Sequence, residues 1–168
     1  MPARVPKGGC PLFAAARFRD GVRMAAGASS TDPPRGPGGS PVRVLAVDDQ
    51  AIFLRAVRRL LRAAPGFEQV GEARSGEEAI ARVADLRPDL VLVDVRMPGM
   101  DGVETARRLL AGRTPPAVVL VSLEPLPEPE PGLDFPAAGF LRKQELSVRS
   151  LTAVWAEQRA GTTAERGI

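Results

Sequence analysis

Val42-Arg43-Val44-Leu45-Ala46-Val47-Asp48-Asp49 is a largely apolar, β-branched run that ends in two carboxylates. Its length and content are those of a strand buried on both faces. A second run, Leu90-Val91-Leu92-Val93, is closed by Asp94 in the same way. In an open parallel sheet, ligands collect outside the carboxyl ends of the strands. If the two strands are neighbours, Asp48, Asp49 and Asp94 meet at one point, where their repulsion calls for a cation. Oxygen-only ligands in small number suit Mg²⁺, which keeps several waters and takes one or two carboxylates together with a phosphate. The pattern points to a metal-dependent phosphate site.

Around these runs, strand and helix patterns alternate. A helix is expected over 51–63. Its apolar residues Phe53, Val57, Leu60, Leu61 and Ala64 recur at helical spacing, with Arg55, Arg58, Arg59 and Arg62 on a solvated opposite face. Pro65-Gly66 stops it. A strand over 67–73 follows. Ser75 and Glu78 then form a capping box for a helix reaching about residue 86, before Pro88. Asp101 is the expected N-cap of the next helix, to about residue 110, with Glu104 as its N3 partner. Strands are expected over 117–121 and 140–142, and a last helix over 146–159, anchored by Leu151, Val154 and Trp155. Such alternation implies an α/β fold with a parallel sheet and helices on both faces.

Composition narrows the function. There is no histidine, which excludes imidazole catalysis and His-ligated zinc. Cys10 is the only cysteine, so no intrachain disulfide forms and a reducing, cytoplasmic setting fits. No apolar run approaches the roughly 18 residues of a membrane span, and no signal-peptide pattern opens the chain. The net charge is +3. Residues 1–40 carry six Lys/Arg against two Asp/Glu, a net of +4, which leaves −1 for residues 41–168. The basicity belongs to the leader. Rich in Ala, Gly, Pro and Ser, residues 1–40 are expected to be disordered, residues 41–160 to fold, and residues 161–168 to fray. Met24 offers an alternative start, which the intact mass of the native protein would reveal.

The carboxyl ends of the expected strands carry Asp48, Asp49, Asp94, Ser122 and Lys143. Asp94 suits a nucleophile that takes a phosphoryl group as an aspartyl-phosphate. Asp48 and Asp49 suit Mg²⁺, which offsets charge on phosphoryl oxygens. Lys143 and Ser122 suit the remaining oxygens. Singly, each has a plain alternative as a cap, turn or surface residue. Their shared edge gives the set its weight.

The set resembles the receiver domain of bacterial response regulators. The matching pieces are Val44-Leu45-Ala46-Val47-Asp48-Asp49-Gln50, Val91-Leu92-Val93-Asp94-Val95-Arg96-Met97-Pro98-Gly99-Met100-Asp101-Gly102, Ser122 and Gly139-Phe140-Leu141-Arg142-Lys143. The segment Gly71-Glu72-Ala73-Arg74-Ser75-Gly76-Glu77-Glu78-Ala79 looks especially like receivers usually fused to a helix-turn-helix domain. The resemblance implies a flavodoxin-like, doubly wound, five-stranded sheet of order 2-1-3-4-5. By position it makes Asp94 the phosphoacceptor, Asp49 a direct metal ligand and Asp48 the second acid. The backbone carbonyl of Arg96 completes the protein ligands, with Asp94, around Mg²⁺. Ser122 becomes the switch hydroxyl, Phe140 the switch aromatic and Lys143 the phosphate-binding lysine. Phe140 also reads as a core aromatic, and the two readings are compatible. The implied partners are a histidine kinase or phosphotransfer protein as donor, and an output protein of unknown identity.

Two departures stand out. The family's fourth helix falls where this chain has Glu124-Pro125-Leu126-Pro127-Glu128-Pro129-Glu130-Pro131-Gly132. An interior proline costs a helix about 3 kcal/mol, so that helix is expected to be lost or irregular. The segment reads as a loop or, alternatively, a polyproline docking site. A conventional phosphorylation-induced dimer surface is accordingly not expected. About nine residues follow the last helix, so the chain is expected to stand alone, without direct DNA binding and without membrane attachment. It is expected not to be an enzyme. A phosphatase of the haloacid-dehalogenase type needs an acid two residues after its nucleophile, where this chain has Arg96. A phosphate sink and a phosphorylation-independent binding module are the rivals within the family.

Overall fold

The computed structural model describes residues 32–125 and 137–165, the last five of these by backbone alone. The first long strand, β1 (Val42–Val47), lies inside a five-stranded parallel sheet. It is followed by α1 (Ala51–Arg62), β2 (Phe67–Ala73), α2 (Gly76–Leu86), β3 (Leu90–Asp94), α3 (Gly102–Leu110), β4 (Ala117–Ser122), β5 (Gly139–Arg142) and α4 (Val148–Glu165). The sheet order is β2-β1-β3-β4-β5, as expected for a flavodoxin-like sheet. Alternate β1 residues serve opposite layers. Val42, Val44 and Ala46 pack with Leu54, Val57 and Leu61 of α1 and with Leu151 and Trp155 of α4. Leu45 and Val47 pack with Ala79 of α2 and with Ala106 and Leu109 of α3. Both faces are covered, which explains why these strands read as continuous apolar runs.

Helix ends follow the sequence with two corrections. Ser75 Oγ accepts from the Glu78 N–H at 3.1 Å, but the Glu78 carboxylate reaches the N–H of Arg74 rather than that of Ser75. Asp101 Oδ1 caps the Glu104 N–H at 2.8 Å, whereas the Glu104 carboxylate pairs with Arg108 one turn on. The helix-surface reading of the α1 arginines holds: all four are exposed, and Arg58 makes a bidentate pair with Glu72. The final helix begins after a 3-10 turn at Lys143–Glu145, with Ser147 and Ser150 bonding each other's N–H groups across its first turn. It continues through Glu165, past the expected end at 159. Residues 166–168 lie outside the described residues.

The start of the fold is also corrected. Residues 32–40 are expected from the sequence to belong to a disordered leader, yet Pro34, Arg35 and Gly36 contact the domain, while Pro37 to Ser40 are exposed. Gly66 has a φ of 85°, and a Cβ there would lie 2.2 Å from the Pro34 carbonyl oxygen. The Arg35 carbonyl accepts from Trp155 Nε1 at 3.1 Å and from Arg159 Nη1 at 2.8 Å. Pro37–Gly39 makes one 3-10 turn. Proline is compatible with the first position of such a turn because its missing N–H has no partner there. This strap ties α4 to the α1–β2 turn. Deleting residues 1–40 is expected to cost about 1–3 kcal/mol, since a buried indole donor loses its acceptor. Urea unfolding followed by the fluorescence of Trp155, the only tryptophan, checks this. The expectation for residues 1–31 lies outside the described residues.

Between β4 and β5 the described residues, 123–125 and 137–138, contain no helix. The expectations of a lost fourth helix and of a docking loop fall mainly on residues 126–136, outside the described residues. Among the described residues, no helix is long and apolar enough to cross a membrane.

Candidate phosphoacceptor site

Strand register builds the site. Val47 of β1 pairs with Val93 of β3, and Asp94 pairs with Val121 of β4. Ser122 pairs with Arg142 of β5. The chain therefore leaves all four strands at one edge, carrying Asp48 and Asp49, Asp94, Ser122 and Lys143 with it. One carboxylate oxygen from each of Asp48, Asp49 and Asp94 lies within 4.8 Å of the others. Asp48 is fully buried, Asp94 and Ser122 are each 5% exposed, and Asp49 is half-buried.

Lys143 is the cation among these acids. Its Nζ donates to Asp48 Oδ2 and stands 3.3 Å from Asp94 Oδ1. Asp48 Oδ1 accepts the Gln50 N–H at 2.8 Å, which spreads its charge over two donors. Burial, and after it the nearby charge of Asp48, raises the Asp94 carboxyl above the ordinary range. The Lys143 ammonium and the Arg96 backbone N–H pull the other way without cancelling this. Three carboxylates against one ammonium leave a site rich in negative charge. All its donors are hard oxygens, and a small divalent cation such as Mg²⁺ fits that deficit and that chemistry.

The remaining expected residues are placed differently. Ser122 Oγ accepts the Glu124 N–H at 3.3 Å. The Arg96 side chain points to solvent and pairs with Glu124 at 2.8 Å. Phe140 is half-buried on β5 and packs against the α2–α3 core layer, where the core reading of this residue put it.

Sequence reasoning missed two neighbours. Phe53 sits on the helical stripe of α1 and reads as core, yet its ring also lies beneath Lys143. Gly102 opens α3, and a Cβ there would lie 2.1 Å from the Asp94 carbonyl oxygen. Only glycine lets the helix start so close to the strand end; the glycine after the Asp101 cap was the available signal. Gly102→Ala is expected to destabilise the fold by about 1–3 kcal/mol, because rigid backbone must move. It should also displace Asp94. Chemical denaturation together with a divalent-cation titration checks both effects.

The response regulator receiver domain family matches residues 44–154. The chain belongs to this family. Among curated receivers, the response regulator GacA of Pseudomonas viridiflava is 39% identical over 123 residues, covering 70% of this chain and 57% of that protein. The signal receiver domain of the response regulator NarL from Mycobacterium tuberculosis superposes with a TM-score of 0.58 at 32% identity, covering 73% of this chain and 98% of that one. A chain in the crystal structure of the CheA3 P1 domain in complex with CheY6 from R. sphaeroides has a TM-score of 0.52 at 30% identity, covering 62% and 84% respectively. This receiver spans 24% and 57% of the length of the first two curated relatives it matches.

Proposed function

We propose that Asp94 accepts a phosphoryl group from a phosphohistidine on a histidine kinase or phosphotransfer protein, and that the phosphorylated chain signals by protein contact. The observation that carries this reading is the buried Asp94 carboxylate beside Lys143 Nζ and two further carboxylates at one sheet edge. A carboxylate oxygen of Asp94 attacks phosphorus. The new O–P bond forms as the donor's N–P bond breaks, and the electron pair stays on the donor nitrogen. Asp48, Asp49 and Asp94, with the Arg96 carbonyl, are the residues to hold Mg²⁺, which when bound offsets charge on the phosphoryl oxygens. The Arg96 N–H orients the Asp94 carboxylate. Lys143 Nζ is in place to pair with one phosphoryl oxygen, and the Ser122 hydroxyl is assigned to another. Phe140, on the neighbouring strand, is assigned to rotate inward when the Ser122 hydroxyl is drawn toward the phosphoryl group.

The likeness to a chain from a P1–CheY6 complex supports a phosphotransfer domain as donor. The single cysteine and a kinase-supplied phosphoryl group fit a cytoplasmic setting. Incubation with acetyl phosphate and Mg²⁺, followed by intact mass, tests the reading. One base-labile phosphoryl increment, absent without the metal, is expected. A mass unchanged with every small donor tried would instead favour a phosphorylation-independent module.

A further inference from the structure

Lys143 is one of two lysines in the chain, the other being Lys7; every remaining basic residue is arginine. Its ammonium lies 4.3 Å from the centroid of the Phe53 ring. The same Nζ donates to Asp48 and approaches Asp94, and the side chain is 6% exposed. Ring and carboxylates together enclose the charge. Phe53 comes from the first turn of α1 and Lys143 from the end of β5. The contact is therefore made by the tertiary fold and not by local chain geometry.

We propose that Phe53 is a positioning residue for Lys143: its ring face holds the ammonium between Asp48 and Asp94, where a phosphoryl oxygen on Asp94 would meet it. The inference rests on Asp94 being the phosphoacceptor. A lysine ammonium is a compact charge with three donors on a flexible stem. Two carboxylates alone allow it to settle wholly on the more deeply buried one, Asp48. The aromatic face attracts the cation through its quadrupole and, in a desolvated place, does so more strongly than at the surface. It accepts no directed hydrogen bond of the carboxylate kind. The ammonium can therefore exchange a carboxylate oxygen for a phosphoryl oxygen while keeping its place over the ring. Leucine would supply comparable apolar bulk to the α1 core layer, but no such face.

Phe53→Leu and Phe53→Tyr, compared with the unaltered chain, test this. With acetyl phosphate and Mg²⁺, the leucine variant should take up phosphoryl about 2- to 30-fold more slowly, and the tyrosine variant at close to the original rate. Thermal unfolding of both should stay near that of the unaltered chain. In protein free of metal and phosphate, lysine-labelled NMR gives a readout independent of the reaction. The Lys143 side-chain signals should be shifted by the ring current in the unaltered and tyrosine proteins and revert in the leucine variant, with Lys7 as reference. Uptake at an unchanged rate in the leucine variant, with the ring shift lost, would overturn the positioning role alone. No uptake by the unaltered protein would overturn the phosphoacceptor reading and this role with it, while the ring shift persisted as a purely structural contact.

Discussion

Lys143→Ala is expected to destabilise the metal-free protein by about 3–5 kcal/mol, and Mg²⁺ is expected to restore much of that loss. The reasoning starts from burial. Asp48 is fully buried and Asp94 nearly so, and Lys143 is the ammonium that contacts both. Removing one partner of a buried ionic group leaves the other charge uncompensated, which costs far more than the net worth of the pair. Alanine also removes the cation from above the Phe53 ring. A divalent cation at the three carboxylates would replace the missing positive charge. At a free concentration of 100 times its dissociation constant, a ligand that binds only the folded state contributes about 2.7 kcal/mol. Urea denaturation of both proteins, with and without Mg²⁺, measures the two effects. An equal response of both proteins to Mg²⁺ would show that the metal does not compensate this charge.

Asp94→Asn is expected to abolish phosphoryl uptake while making the metal-free protein more stable at neutral pH. The first effect follows because an amide is not a nucleophile toward phosphorus in this role. The second follows from the raised carboxyl of Asp94, caused first by burial and then by the charge of Asp48. A carboxyl raised in the folded state binds its proton more tightly there than in the unfolded chain. Its stabilising contribution is complete below the unfolded value and is lost as pH rises through the folded one. At neutral pH the ionised Asp94 is therefore a cost to the fold, and asparagine removes it. Lys143 keeps Asp48 as a partner in the variant, so no buried ammonium is stranded. The gap in unfolding temperature between variant and parent should close as pH falls into the acidic range. It should also shrink when Mg²⁺ is added to the parent at neutral pH. A gap independent of pH would show that Asp94 carries no such proton-linked cost.

These effects share one origin. The site concentrates negative charge in a place from which water is largely excluded, and among the described residues Lys143 is the ammonium set against it. A receiver needs an acceptor reactive enough to take a phosphoryl group. The same burial and crowding that raise Asp94 reduce the stability of the unliganded fold.

Much of this was readable along the chain. Strand runs ending at Asp48, Asp49 and Asp94 announced a parallel sheet with acids at its carboxyl edge, because buried parallel strands are continuous in apolar character and periodic in nothing else. Ser75 and Asp101 announced helix starts because capping is a matter of three or four residues. Local chemistry of that kind survives any tertiary context. The contacts of Pro34, Arg35 and Gly36 are not legible along the chain for the opposite reason. The prolines and glycines of this segment do exclude regular structure, but its order comes from Trp155 and Arg159, whose bonds to the Arg35 carbonyl span 120 and 124 residues.

The alternation of strand and helix patterns was enough for a parallel sheet and for the acidic character of its carboxyl edge, while the strand order came from the resemblance to receivers. The sequence by itself also determined which residue types stand at that edge. The assembled fold was needed to bring Lys143 to Asp48, 95 residues away, to set Phe53 beneath its ammonium, and to bring Gly102 within contact of the Asp94 backbone. The physical reason is range. Periodicity and caps act over a few residues. The position of a charge among partners from two other strands and a helix is fixed only when the whole sheet has closed around it.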